Sequence, residues 1–114
     1  MKRPRFSGIG LHCGAECEVV LRLDVFEPGF RFLRADLPDR PSFLACPENI
    51  IASTRHTVLG SSPEISVGTT EHLLAALAGL GFWSALIEVS GPEIPILDGS
   101  AKPFVEALRK HDPG

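Results

Sequence analysis

The stretch Thr69-Thr-Glu-His-Leu-Leu-Ala-Ala-Leu-Ala-Gly-Leu-Gly81, followed almost at once by Ser84-Ala-Leu-Ile-Glu-Val89, carries the two hydrophobic periodicities that decide the fold. In the first part Leu73, Leu74, Leu77 and Leu80 recur at helical spacing. Thr69 or Thr70 can cap its start, and Gly79 and Gly81 can end it. The second part is a short apolar run with the composition of a strand. An apolar helical stripe next to such a run must face a sheet, so helix and sheet are expected in separate layers.

Working outward, Glu18-Val-Val-Leu-Arg-Leu reads as a strand, and Phe30-Arg-Phe-Leu-Arg-Ala reads as its hairpin partner through Pro28-Gly29. Shorter strands are expected at Phe43 to Ala45, around His56 to Leu59, and at Glu64 to Val67. Beyond the central run, Asp98-Gly-Ser100 turns into a second helix. Ser100 is a suitable cap there, Pro103 fits the first turn, and Phe104, Ala107 and Leu108 form one face. The expected fold is α+β: a two-layer sandwich with a mainly antiparallel sheet and both helices on one face.

The length of 114 residues suits one domain with one modest core, so residues 1–114 are read as a single domain. Hydrophobic residues at 44% and charged residues at 22%, with both signs interspersed, are typical of an ordinary globular chain. A net charge of -3 with no run of Lys and Arg argues against nucleic acid as a partner. The longest apolar stretch, Leu73 to Leu86, is broken by Gly79, Gly81 and Ser84, so no transmembrane segment is expected. No apolar signal core follows Met1, and the reading is cytoplasmic. Cys13, Cys17 and Cys46 are odd in number and lack CxxC spacing, which favours reduced thiols over disulfides or a thiolate zinc site.

The densest polar information is Glu71-His72 in the first turn of the apolar helix. The positive end of a helix dipole favours a carboxylate there, and such a pair suits a metal ligand beside a general base. Taken alone it more simply suits a plain helix-start charge beside a surface or semi-buried histidine, since an adjacent Glu-His pair arises easily by chance. The pair is not the HExxH arrangement, because the position four after His72 is Ala76. His12, His56 and His111 are the remaining histidines, and each also has an ordinary structural or solvated reading. Asp98 most simply fixes the turn before the second helix, and Gly8-Ile-Gly-Leu-His lacks the third glycine of a phosphate loop.

Four segments in order, Ser7-Gly-Ile-Gly-Leu-His, Thr54-Arg-His-Thr with Leu59-Gly60, Thr70-Glu-His-Leu-Leu-Ala-Ala-Leu, and Glu93-Ile-Pro-Ile-Leu-Asp-Gly-Ser, resemble the UDP-3-O-acyl-N-acetylglucosamine deacetylase family of lipid A synthesis. The similarity runs from about Ser7 to Leu108 and covers the first of that family's two related domains. It implies a two-layer sandwich of the ribosomal protein S5 domain 2 kind. It also implies zinc-dependent amide hydrolysis, with Glu71 as general base and His72 as a zinc ligand. Leu11, His56 and Thr57 match positions that line or border the family's substrate pocket.

The family's remaining zinc ligands lie in an HKxxxD-type motif of its second domain, and no such motif occurs here. The C-terminal domain is therefore expected to be absent, and the Zn2+ ligand set in this chain to be incomplete. One expected partner is a separate polypeptide resembling the second domain. The other is a second copy of this chain, with two Glu71 and two His72 side chains near a two-fold axis. Either assembly would take a UDP-sugar lipid as substrate, and the chain alone is expected to be inactive. The competing expectation is a non-catalytic binding or assembly module.

Overall fold

A computed structural model of the chain describes residues 3–25, 27–51 and 57–109. Its elements follow the order β1 (Arg5–Ile9), β2 (Glu16–Arg22), β3 (Gly29–Arg34), β4 (Ser42–Leu44), a 3-10 turn at Pro47–Asn49, β5 (Ile50–Ile51), β6 (Val58–Ser62), β7 (Ile65–Gly68), α1 (Glu71–Gly79), β8 (Ser84–Ser90) and α2 (Lys102–Leu108). The strands make a five-stranded sheet in the order β1-β2-β8-β3-β4 and a three-stranded sheet in the order β5-β6-β7. The α+β expectation agrees with this architecture.

The hairpin expected between β2 and β3 does not form. β8 lies between them, antiparallel to β2 and parallel to β3. β8 buries Ala85, Ile87 and Val89 on one face and keeps Leu86 and Glu88 half-covered on the other, so its most favourable place is the middle of the sheet. The connector 23–28 needs only to step across two strand spacings, about 10 Å, which a few extended residues cover easily. Two rows of side chains then cross the sheet toward the helices. Phe6, Val19 and Val89 register in one, and Leu21, Ile87, Phe32 and Phe43 in the other.

Onto these rows pack Leu73, Ala76 and Leu77 of α1 and Phe104 and Leu108 of α2, in one continuous core. Phe104 meets Phe6 edge-on with ring centroids 4.8 Å apart. Ile87 sits at 0% exposure between Leu21 and Phe32, and Ile87→Val is expected to cost about 1 kcal/mol. A lower urea midpoint at unchanged slope would register that loss, whereas an unchanged midpoint would mean this row is not packed as described.

α1 ends as its glycines suggest. Phe82 N–H reaches Leu77 C=O at 3.0 Å and Gly81 N–H reaches Ala78 C=O at 3.1 Å, with Gly81 at φ 87 in the left-handed position of a Schellman motif. Its start departs from the expectation. Thr70 is the N-cap residue, yet its hydroxyl donates to Thr57 C=O at 3.4 Å instead of accepting from the helix. At α2 the N-cap residue is Ala101, while Ser100 Oγ still accepts the Lys102 N–H at 3.2 Å.

The small sheet is tied to the large one by Arg34, which is buried at the end of β3. Its guanidinium donates to Ser66 C=O of β7 at 2.8 Å and grips Asp36 through both carboxylate oxygens at 2.9 and 2.8 Å. That hydrogen-bonded guanidinium holds the Asp36 carboxyl below its ordinary value. β7 thereby delivers its C-terminal end, and the start of α1, to a fixed place beside the sheet.

Candidate active site at the start of the first helix

β7 ends at Gly68, where the chain runs parallel to the segment 92–94: Gly68 N–H bonds Pro92 C=O at 2.8 Å and Ile94 N–H bonds Gly68 C=O at 3.0 Å. The next residue, Thr69, adopts φ 56, a left-handed conformation that a β-branched residue takes only when its surroundings enforce it. The enforcing contact is its hydroxyl, which donates to Glu93 Oε2. This bend turns the chain into α1 and sets the direction of Glu71 and His72.

Glu93 is 2% exposed, and its other oxygen, Oε1, accepts the backbone N–H groups of His12 at 2.9 Å and Cys13 at 2.7 Å. One carboxylate thus joins the β1–β2 turn to the entrance of α1. Burial pushes this carboxyl up, but the hydrogen bonds from Thr69, Cys13 and His12 outweigh burial and hold it below its ordinary value. Gly10 is required beneath it, because a Cβ there would come within 2.4 Å of Cys13 Sγ and 2.7 Å of Glu93 Oε1. Nothing in the residues around Glu93 in the sequence points to this role.

Glu71 and His72 are both half-buried in the first turn of α1, as the sequence suggests. Thr57 lies beside them: its N–H donates weakly to Glu71 Oε2 at 3.4 Å, and its C=O accepts from the Thr70 amide at 3.4 Å. The other oxygen, Glu71 Oε1, is buried with no hydrogen-bond partner among the described residues. A buried carboxylate oxygen left without a donor is costly, so Oε1 is a place for a group beyond the described residues, a water, a substrate group or a cation among them.

Leu11 projects from the β1–β2 turn at 59% exposure, on the loop that Glu93 anchors to the α1 entrance. His56 and His111 lie outside the described residues. Asp98 fixes its turn as expected, accepting the Ser100 amide at 2.9 Å and hydroxyl at 2.7 Å. A depression of about 300 Å³, lined by His12, Cys13, Val58, Gly68 and Glu93, runs between the turn and the small sheet. The larger cleft, about 440 Å³ between Asp24, Arg31 and Leu44, is lined by neither Glu71 nor His72.

Among the described residues no three His, Cys, Asp or Glu side chains gather where they could hold a metal ion. Glu71 and His72 stand together without a third such side chain near them among the described residues, fewer than the three protein ligands that catalytic zinc usually takes. No helix among the described residues is long and apolar enough to cross a membrane.

Residues 1–113 match the family described as UDP-3-O-acyl N-acetylglycosamine deacetylase. A UDP-3-O-acyl-N-acetylglucosamine deacetylase of Phenylobacterium zucineum is 42% identical over 104 residues, which are 90% of this chain and 36% of the relative. The protein of the same name from Bdellovibrio bacteriovorus is 42% identical over 107 residues, 94% of this chain and 35% of its own length. A "bifunctional enzyme LpxC/FabZ" of Chlorobaculum tepidum is 44% identical over 102 residues, 90% of this chain and 22% of that protein. The chain therefore spans about a third or less of the length of these curated relatives.

Proposed function

This chain belongs to the UDP-3-O-acyl N-acetylglycosamine deacetylase family, and from that premise we propose that it supplies the general base and one zinc ligand of an amide-hydrolysing site in lipid A biosynthesis. The observation that carries the reading is Glu71 Oε1, buried and without a donor among the described residues at the first turn of α1 beside His72. In this reading Glu71 takes a proton from the attacking water, and the hydrogen bond from the Thr57 amide holds its other oxygen in place. A zinc ion shared with a second domain would polarise that water, and His72 would be this chain's ligand to it. Leu11, Thr57 and His56 would border the UDP-sugar lipid. The Glu93 bonds to the His12 and Cys13 amides hold the loop that carries Leu11.

The test is complementation. The purified chain is mixed with a polypeptide spanning the remainder of a family member, and zinc content and deacetylation of UDP-3-O-acyl-N-acetylglucosamine are measured. Expected are little bound zinc for the chain alone, one zinc per assembled site, and activity only in the mixture. Loss of both zinc and activity in His72→Ala would support the ligand role, whereas full zinc content in that variant would overturn it. Zinc and activity in the chain alone, at the mass of a dimer, would point to two copies completing each other. Nucleotide-sugar binding with no hydrolysis in any mixture would favour a binding module.

A further inference from the structure

The sulfurs of Cys13 and Cys17 lie 3.8 Å apart across the β1–β2 turn. The turn that brings them together is closed by Gly10 N–H to Ala15 C=O and Gly14 N–H to Gly10 C=O, both 2.9 Å, with Gly14 at φ 67. Each sulfur is walled by glycine backbone. A Cβ on Gly10 would lie 2.4 Å from Cys13 Sγ, and one on Gly91 would lie 2.7 Å from Cys17 Sγ. With backbone close against one side of each sulfur and the two sulfurs already 3.8 Å apart, they meet at a high effective concentration. Cys13 is exposed and Cys17 is 1% exposed, which gives one sulfur that a small oxidant reaches and one that waits behind it. Cys46 lies elsewhere, before the 3-10 turn.

We propose that Cys13 and Cys17 form a reversible intramolecular disulfide when the chain meets a peroxide, making the β1–β2 turn an oxidation-sensitive site. The exposed Cys13 thiol gives up its proton and its sulfur attacks a peroxide oxygen; the O–O bond breaks, and the released hydroxide takes that proton, giving a sulfenic acid and one water. Cys17 Sγ then attacks the Cys13 sulfur and the S–O bond breaks. The Cys17 proton leaves with the hydroxide as a second water, so two thiols are oxidised for one peroxide reduced. Burial pushes the Cys17 thiol up to about 11, so Cys17 does not begin the reaction and serves as the resolving partner. The sulfurs must close from 3.8 Å to about 2.05 Å. That movement displaces the Cys13 amide, which donates to Glu93 at 2.7 Å, so the oxidation state of the pair is felt at the clamp on α1.

The reduced chain is treated with hydrogen peroxide, its thiols are counted after unfolding, and its peptides are mapped. Expected is one remaining thiol out of the three, a mass lower by two hydrogens, a Cys13–Cys17 linked peptide, and full recovery with dithiothreitol. The link should persist in Cys46→Ser and disappear in Cys13→Ser, an exposed change that leaves the core intact. A sulfinic acid at Cys13 with Cys17 still free, a link to Cys46, or a dimer through Cys13 would each overturn the proposal. Amide exchange at His12 and Cys13 should rise on oxidation, and unchanged exchange would sever the pair from the clamp.

Discussion

Glu93→Ala is expected to lower the unfolding free energy by about 3–5 kcal/mol, a large share of the total that small domains possess. Four groups make the case: the buried carboxylate itself, the Thr69 hydroxyl, and the amides of His12 and Cys13. Removing the acceptor strands the buried Thr69 hydroxyl and unpairs the part-buried His12 and Cys13 amides, and a stranded buried donor costs more than its bond contributed net. It also frees Thr69, whose left-handed backbone is held by that bond. At about 4 °C per kcal/mol for a domain near this size, the midpoint should fall by at least about 12 °C. A fall of a degree or two in a thermal melt would sink the clamp.

The same carboxylate predicts a pH signature. Its folded pKa lies below the ordinary value of 4.5, so the stability it contributes is present above 4.5 and is lost as the pH falls through the folded value. Glu93→Gln keeps the shape and one carbonyl acceptor for the His12 and Cys13 amides but removes the charge, which halves the strength of those bonds. The native chain should exceed Glu93→Gln by about 1–2 kcal/mol at neutral pH, and the gap should close in acid. Asp36, held low by Arg34, titrates with the same sign in both proteins and cancels in the comparison. A gap that stays constant down the acid range would place the effect in packing rather than charge.

The elements were legible because their signals are local. The leucine spacing of α1, the Gly81 stop and the β-rich run of β8 are each read within a dozen residues, and the structure places them at Glu71–Gly79 and Ser84–Ser90. Strand order was not legible, because β8 reaches its place between β2 and β3 by competition among distant strands and not through any turn signal. The Glu71-His72 pair is visible but ambiguous from chemistry alone, and its company in ordered motifs is what suggests a role beyond a helix-start charge. Glu93 was missed for a physical reason. Two of its partners are backbone amides 81 and 80 positions away, and no pattern along the chain marks an amide as a partner. Its place at the head of the Glu93-Ile-Pro-Ile-Leu-Asp-Gly-Ser motif, flanked by Pro92 and Ile94-Pro95 where a solvated charge has no evident use, is a hint but names no partner.

Glu71→Gln should behave in the opposite way, which makes the two carboxylates a matched test. Glu71 makes one long bond, 3.4 Å from the Thr57 amide, and its other oxygen has no donor among the described residues. Little stability rests on it, so the substitution should move the unfolding free energy by less than about 0.5 kcal/mol, or raise it slightly by removing a buried charge that lacks a full partner set. In an assembly that hydrolyses the N-acetyl amide, the same change should cut kcat by about 100-fold to 10,000-fold, because an amide cannot accept the proton of the attacking water. KM should change far less, since the lost interaction belongs to the transition state and not to binding. Retained activity in Glu71→Gln would show that the base lies elsewhere. A large stability loss would show that Glu71 is a structural residue like Glu93, and its buried oxygen would then need a partner within the fold. Glu93 and Glu71 are the same residue type at the entrance and first turn of one helix, and among the described residues they differ in how many donors each carboxylate has found, which is what the paired substitutions test.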